Sequence, residues 1–359
     1  MVDALPATMR AVMLTGFGGL EKLEIRNDVP VPKPRAGEVL IRIGAAAVNN
    51  TDINTRIGWY SKAVTEATST GGQEGFAETA GDGWSGAAFK FPRIQGIDGC
   101  GRIVSTGTGV DQSRIGERVL IDPLIKDAAG ASGYMGSEYD GAFADYVCVP
   151  AVNALRVQSD LSDAELASFP CAYSTAENIL TRIDLSSGQT VLVTGASGGV
   201  GVAAVQLAKR RGAHVIAIAG ADKIDAVRAL GADHVIPRDA DLRAALGDNC
   251  VDAVVDIIGG PQFPALLDCM RPGGRYGVSG AIAGPIVELD LRTLYLKDLR
   301  LIGCTIPEAE VFPRLVQIIE NREIEPVIDR SYPLEDIVAA QQRFLEKRHV
   351  GKIVLTVQG

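Results

Sequence analysis

Apolar residues fall into two textures along this chain. Over the first 150 residues they come in short blocks at 9–14, 23–26, 37–43, 116–121 and 141–150, separated by glycine, proline and polar residues. Blocks of that length without a helical period predict strands, hence a β-rich part. Residues 91–104 read as strand too. Between 45 and 60 a small-residue strand runs into Asn49, Asn50, Thr51, Asp52, Asn54 and Arg56, a polar cluster suited to a turn or short helix that lines a site. Segment 61–90 differs: Gly, Ala, Ser, Thr and acidic residues dominate, and Val64, Phe76, Trp84 and Phe89 are its larger apolar residues. It reads as a long surface loop or flap, a solvated insertion in preference to a lid.

From Ser162 the period lengthens. Ser162-Asp163-Ala164-Glu165 offers a helix cap followed by acidic residues in the first turn. A helix is expected over 164–180, broken near Pro170. Apolar strands at 191–193, 214–219, 235–236, 251–258, 274–278 and 299–304 then alternate with helical stretches such as 202–211 and 223–230. That alternation predicts a parallel, doubly wound sheet. Helices at 311–321 and 334–347 precede a last strand at 352–357, which is expected to rejoin the β-rich part. The fold class is therefore α/β, with 1–165 and 307–359 in a β-rich domain and 166–306 in a doubly wound one.

The sharpest local signal is Val191-Leu192-Val193-Thr194-Gly195-Ala196-Ser197-Gly198-Gly199-Val200-Gly201. A small-residue helix follows, Gly212 closes it, and a second strand starts at His214. In such a βαβ unit the glycine turn brings backbone N–H groups up to a pyrophosphate at the helix N-terminus, where the dipole also favours negative charge. Ala196, Ser197, Gly198, Gly199 and Val200 are the expected cradle.

Composition narrows the classes. A chain of 359 residues suits about two domains. Thirty-five basic against 44 acidic residues, a net charge of −9, argues against nucleic acid or an anionic membrane as partner. No apolar run reaches the ~18 residues of a membrane helix. The stretch 1–10 lacks a basic region followed by an apolar core, so no signal peptide is expected. The six cysteines are scattered without CxxC spacing, as in reduced thiols of a cytoplasmic protein.

As a set, these features resemble the medium-chain dehydrogenase/reductase superfamily over essentially the whole chain. The resemblance is carried by the β-rich first part, Ala196-Ser197-Gly198-Gly199-Val200-Gly201, Ala229-Leu230-Gly231-Ala232-Asp233, Arg271-Pro272-Gly273-Gly274 and Gly351-Lys352-Ile353-Val354. Val48-Asn49-Asn50-Thr51-Asp52, with Arg56, Gly58 and Tyr60, resembles the quinone oxidoreductase (zeta-crystallin-like) branch. The resemblance implies a GroES-like catalytic domain, a Rossmann cofactor domain, a site in the cleft between them, and a homodimer paired through the sixth strand.

Zinc enzymes of the superfamily hold their active metal with a Cys, a His and a second Cys. Here Asn49 stands at the first position, Gly96-Ile97-Asp98 replaces a Gly-His-Glu, and only Cys171 matches. Residues 116–143 contain no cysteine for a structural zinc lobe. No metal is expected, since zinc needs a fuller set of N and S donors. The alternative is a zinc-type alcohol dehydrogenase with atypical ligands that include Asp98.

NAD enzymes place an acid ~20 residues beyond the glycine turn, on the ribose 2′-hydroxyl. Gly220 stands there instead, and the resemblance assigns Lys223 and Arg238 to a 2′-phosphate, so the expected cofactor is NADPH. Asp222 keeps an NADH reading open. By the same resemblance Thr175 approaches the nicotinamide end and Lys352 reaches the pyrophosphate. Gly259 and Ser279 follow strand ends, where doubly wound sheets bind ligands.

Reduction without a metal needs cofactor hydride, a polarising hydrogen bond and a proton source. Asn49 is expected to donate to a carbonyl oxygen, Tyr60 to polarise or protonate, and Asp52 to orient its neighbours. The expected function is NADPH-dependent, zinc-independent reduction of a small quinone or α,β-unsaturated carbonyl. A non-catalytic NADPH-binding protein is the third reading.

Overall fold

All six expected strands of the doubly wound part lie in one sheet in a computed structural model of the chain, which describes residues 5–357 apart from 78, 80 and 128. The start of the stretch read for a signal peptide and two positions of the insertion thus lie outside the described residues. The hydrogen-bonded order is His234–Pro237, His214–Ala219, Thr190–Val193, Val251–Asp256, Met270–Val278, Arg300–Gly303. Every neighbouring pair is parallel. The order runs outward both ways from Thr190–Val193, so the crevice at the switch point opens beside the glycine turn. Val191 and Val193 enter one core layer with Ala203, Ala204 and Leu207. Leu192 enters the other with Val254, Phe263 and Leu266. Burial on both faces is why these strands read as unbroken apolar runs.

The β-rich part is built on Glu38–Val48, which pairs with Asp98–Thr106, Tyr146–Pro150 and Lys352–Thr356, all antiparallel. The last strand thus rejoins the first domain, as expected. Its register sets Ile353 opposite Val48. Lys352 therefore enters beside Asn49, the residue at which that strand gives way to the Asn50–Ile57 helix. A smaller sheet orders Leu23–Pro30, Thr8–Leu14 and Arg93–Ile94.

The helical stretch and the shortest elements complete the picture. The expected break near Pro170 falls between the helices Asp163–Ala167 and Pro170–Arg182, and Pro170 opens the second of them, at a position where a missing N–H loses nothing. The preceding Asp163–Ala167 helix carries the Ser162–Glu165 capping box. The hairpin of Leu124–Lys126 with Ser132–Tyr134, the strand Ile328–Pro333 and the helices Leu242–Leu246, Phe263–Cys269 and Leu291–Leu296 are too short to show a period.

The insertion is anchored rather than simply solvated. Phe76 and Phe89 pack on the β-rich core. Trp84 meets Tyr134 edge to face at 4.5 Å. The buried Arg56 guanidinium donates to the carbonyls of Gly18 and Gly72 and to Gln341 Oε1, tying the Asn50–Ile57 helix to the insertion. Thr68 N–H donates to the Ile282 carbonyl at 3.0 Å, so the insertion also reaches the doubly wound part. Its apolar anchors, spaced too widely to read as a pattern, decide this.

Candidate functional site

The strand Thr190–Val193 ends in a turn that Gly195 makes at φ +57°. Ala196 N–H donates to Ile218 O at 2.9 Å, and Gly198 N–H to Gly195 O at 3.0 Å. The helix Gly199–Arg210 then starts with no side-chain cap. Its first N–H groups have no intrahelical partner and can hold a phosphate. A Cβ on Gly201 would lie 2.2 Å from Gly195 O, so only glycine lets the helix sit this close to the turn. Ser197 O accepts from Gly351 N–H at 2.9 Å, which fastens the last strand of the β-rich part to this turn.

Gly220 follows the end of the second strand. Asp222 folds towards it, its Oδ1 2.8 Å from where a Gly220 Cβ would stand. Lys223 is half-buried and its ammonium donates to Lys347 O at 2.5 Å. Burial lowers the Lys223 pKa, Asp222 raises it, and Arg238 lowers it further. Lys223 and Arg238 therefore lie near enough for their charges to repel, with the Asp222 carboxylate also within reach of Lys223.

The fourth strand ends on a buried carboxylate absent from the sequence expectations. Asp256 Oδ1 accepts from Thr194 Oγ1 at 2.6 Å and from Ile258 N–H at 2.8 Å. Its Oδ2 accepts from the Tyr276 hydroxyl. Gly259, at φ +62°, is held by the same carboxylate through its N–H. The one sequence cue was an acid closing an apolar run.

A cleft of about 550 Å³ opens between the β-rich part and the ends of the fifth and sixth strands. Trp59 and Tyr60 line one side, and Val278, Ser279, Cys304 and Ile306 the other. Thr51 and Asn54 lie against the Tyr60 hydroxyl, and desolvation pushes its pKa above the ordinary tyrosine range. Tyr134, from the short hairpin, donates from its hydroxyl to Thr305 O at 3.0 Å. Burial pushes the Tyr134 pKa up, and Cys171 and Tyr60 are near enough to add to that. Nothing in the sequence marked Tyr134 apart from other tyrosines.

Near Tyr60, around Cys171, lies a closed polar set. Asn49 Nδ2 donates to Asp98 Oδ2 at 2.7 Å and to Ala47 O at 3.2 Å. Asn49 Oδ1 accepts from Lys352 Nζ at 2.5 Å, and the same ammonium donates to Asp98 Oδ2 at 2.9 Å. Asp98 Oδ1 accepts from Cys171 N–H at 2.6 Å. Two sequence expectations change here. Both Asn49 amide hydrogens are already engaged, so Asn49 has no free donor for a carbonyl oxygen. The Lys352 ammonium, expected at the pyrophosphate, sits on Asp98 and Asn49, because the antiparallel register carries it there. Only its stem passes the glycine turn, with Cδ 2.8 Å from a Cβ built on Gly199.

Asp52 accepts from Asn49 N–H at 2.8 Å and Ile97 N–H at 3.3 Å. Burial, reinforced by Asp98, pushes its pKa up to about 7 against the pull of those N–H groups and Lys352. Its place is under the helix start rather than in the cleft, which fits an orienting role. Thr175 lies one turn beyond Cys171, against the Cys171 thiol.

Zinc, the metal that the resembled superfamily implies, does not fit these residues. One sulfur is present, and burial holds the Cys171 thiol above its ordinary pKa. Asn49 and Asp98 already surround an ammonium. Among the described residues no three His, Cys, Asp or Glu side chains could hold a metal ion together. Also among them, no helix is long and apolar enough to cross a membrane.

Fold and site define a dinucleotide-binding oxidoreductase with a GroES-like catalytic domain. Two family models match: the alcohol dehydrogenase GroES-like domain over residues 35–159 and the zinc-binding dehydrogenase domain over 199–321. A crystal structure of a provisionally assigned alcohol dehydrogenase from Sinorhizobium meliloti 1021 is 46% identical, with TM-score 0.89 over 99% of this chain and 98% of that one. The acryloyl-coenzyme A reductase of Metallosphaera sedula is 28% identical over 97% of this chain and all of its own. The NADPH-dependent alkenal/one oxidoreductase of Arabidopsis thaliana is 27% identical over 98% of this chain and 80% of its own. The chain belongs to the medium-chain dehydrogenase/reductase superfamily, a nicotinamide-dependent family of oxidoreductases, and is similar to its quinone and alkenal reductases.

Proposed function

We propose that the protein is an NADPH-dependent, zinc-independent reductase of α,β-unsaturated carbonyls or quinones. The carrying observation is the closed Asn49–Asp98–Lys352 set beside Cys171, which holds a fixed ammonium among the positions that zinc enzymes of this superfamily use for metal. The names of the relatives point the same way. A bound nicotinamide supplies the hydride. Tyr60, its hydroxyl kept protonated by desolvation, is the donor that polarises the substrate oxygen or returns a proton. Asn49 and Asp52 hold the start of the Asn50–Ile57 helix and so position Tyr60. Gly198 to Gly201 cradle the pyrophosphate. Lys223 and Arg238 support the 2′-phosphate reading as two neighbouring cations that follow the ends of the second and third strands.

Asp222 beside Gly220 favours NADH as a second reading. Purified protein assayed with NADPH and NADH against an enone, a quinone, an enoyl thioester and an aldehyde tests both. Reduction of an activated alkene or quinone with NADPH preferred is expected. Activity confined to aldehydes or alcohols, with stoichiometric zinc lost together with activity on chelation, would refute it. We also infer a homodimer. The edge strand Arg300–Gly303 leaves its backbone groups open, and Leu291, Tyr295 and Leu296 are exposed close by. Light scattering that gives a monomer would exclude this.

A further inference from the structure

A second, smaller cavity of about 200 Å³ shares no lining residue with the cleft. Its wall joins three places: Ser85, Phe89 and Lys90 of the insertion, Arg93 of the short strand after it, and Ser137 and Glu138 of the turn that follows Ser132–Tyr134. Two of these residues hold a buried polar atom that, among the described residues, has no hydrogen-bond partner: Arg93 Nε and Ser137 Oγ. Ser137 is 1% exposed. Six such side-chain atoms occur among the described residues, so two in the wall of one small cavity is a concentration that fold closure does not require. A buried donor without a partner is costly, and a native chain keeps one where something else satisfies it. The nearby carboxylates are engaged elsewhere. Asp140 Oδ1 accepts from Arg93 Nη1 at 3.0 Å and from Ile94 N–H at 3.1 Å, which leaves Nε over. Glu138 spends one oxygen on Ser85 N–H at 2.9 Å and the other on Tyr134 N–H at 3.0 Å. Lys90 adds a second cation at the exposed rim.

We propose that this cavity is a binding site for a small oxyanion, a phosphate or a short carboxylate, which fastens the insertion to the hairpin. A guanidinium N–H and an ammonium only donate, and a serine hydroxyl donates wherever an acceptor is offered. An acceptor-rich group satisfies all three at once. Two cations against one carboxylate along the wall favour a group that is negative, since charge-assisted bonds are the stronger ones. Size limits the choice. The cavity is below the ~300 Å³ at which pockets for drug-sized ligands begin, and holds a handful of waters at ~30 Å³ each. It suits an inorganic phosphate or a short carboxylate and is too small for a nucleotide. Its position gives the anion a structural reach. Trp84 of the insertion packs on Tyr134, and the Tyr134 hydroxyl donates to Thr305 O in the wall of the cleft. An anion held between Lys90, Arg93 and Ser137 therefore steadies the hairpin that carries Tyr134 to the cleft. The proposal stands apart from the cofactor and substrate readings above.

The test uses the full chain saturated with its nicotinamide cofactor, so that the glycine turn is filled. Inorganic phosphate and acetate are titrated into it by calorimetry. At least one of them binds with a Kd of about 1 mM or tighter, and the tighter of the two identifies phosphate or carboxylate as the source. Ser137→Ala weakens that binding about tenfold, and so does Arg93→Lys, which keeps the charge facing Asp140 but removes Nε. Lys90→Gln, at the rim, weakens it about threefold. In buffer free of both anions Ser137→Ala melts at or above the wild-type temperature, because the hydroxyl it removes has no partner there. No saturable heat from either anion overturns the proposal, as do affinities within about twofold of wild type in both Ser137→Ala and Arg93→Lys. A Ser137→Ala chain that melts lower than wild type in anion-free buffer also overturns it, because that hydroxyl is then satisfied by trapped water. None of these outcomes depends on whether an enone or a quinone is reduced.

Discussion

Lys352→Met isolates the buried ion pair on which the metal-free reading stands. Lys352 is 3% exposed and Asp98 fully buried. Methionine keeps most of the apolar stem that packs on Gly199, so the loss is electrostatic rather than a cavity. Asp98 would keep its hydrogen bonds from Asn49 Nδ2 and Cys171 N–H but lose its counter-ion, and Asn49 Oδ1 would lose its donor. Removing one partner of a buried pair costs about 3–5 kcal/mol. Asp98→Asn alone should cost a similar amount, because the ammonium is then stranded. The double variant should be less destabilised than the sum of the singles by about 2 kcal/mol or more, since neither charge remains. Urea unfolding followed by tryptophan fluorescence measures all three. The reasoning fails if Lys352→Met loses less than about 1 kcal/mol while NADPH affinity drops about tenfold. That outcome would return Lys352 to the pyrophosphate role.

The glycine turn separates two substitutions of one kind. Gly201→Ala meets backbone atoms of Gly195 and Ala196 and should cost about 1–3 kcal/mol and most cofactor affinity. Gly199→Ala meets only the flexible Lys352 stem and should cost less, with melting temperature and NADPH fluorescence titration as the checks. His349 is buried against Phe344, and burial, then the charges of Lys347 and Lys223, lowers its pKa to about 4. The unfolded chain takes up its proton near pH ~6.5. Its contribution is therefore full above pH ~6.5 and is lost as pH falls towards about 4, by up to about 3 kcal/mol. His349→Phe should flatten that part of the urea stability profile, and an unchanged slope would contradict the assignment. Tyr60→Phe should lower kcat about 100-fold with little change in KM, and a variant as active as the wild type would remove Tyr60 from the chemistry.

Local pattern determined much of this protein. The apolar runs marked the six parallel strands because both faces of that sheet are buried. The turn from Gly195 to Gly201 was legible because only glycine tolerates its backbone and its close helix. The missing zinc ligands at Asn49 and Ile97 were legible from residue type alone, since a ligand is a chemical identity. Tertiary structure decided what depends on long-range register. Lys352 lies 254 positions from Asp98, and only the antiparallel pairing of Lys352–Thr356 with Glu38–Val48 puts its ammonium there instead of on a pyrophosphate. The same contact takes up Asn49, a free donor by composition and a fully bonded one in the fold. Tyr134 and Asp256 carry no local signature, because a side chain that owes its place to partners far along the chain looks ordinary to its neighbours in sequence.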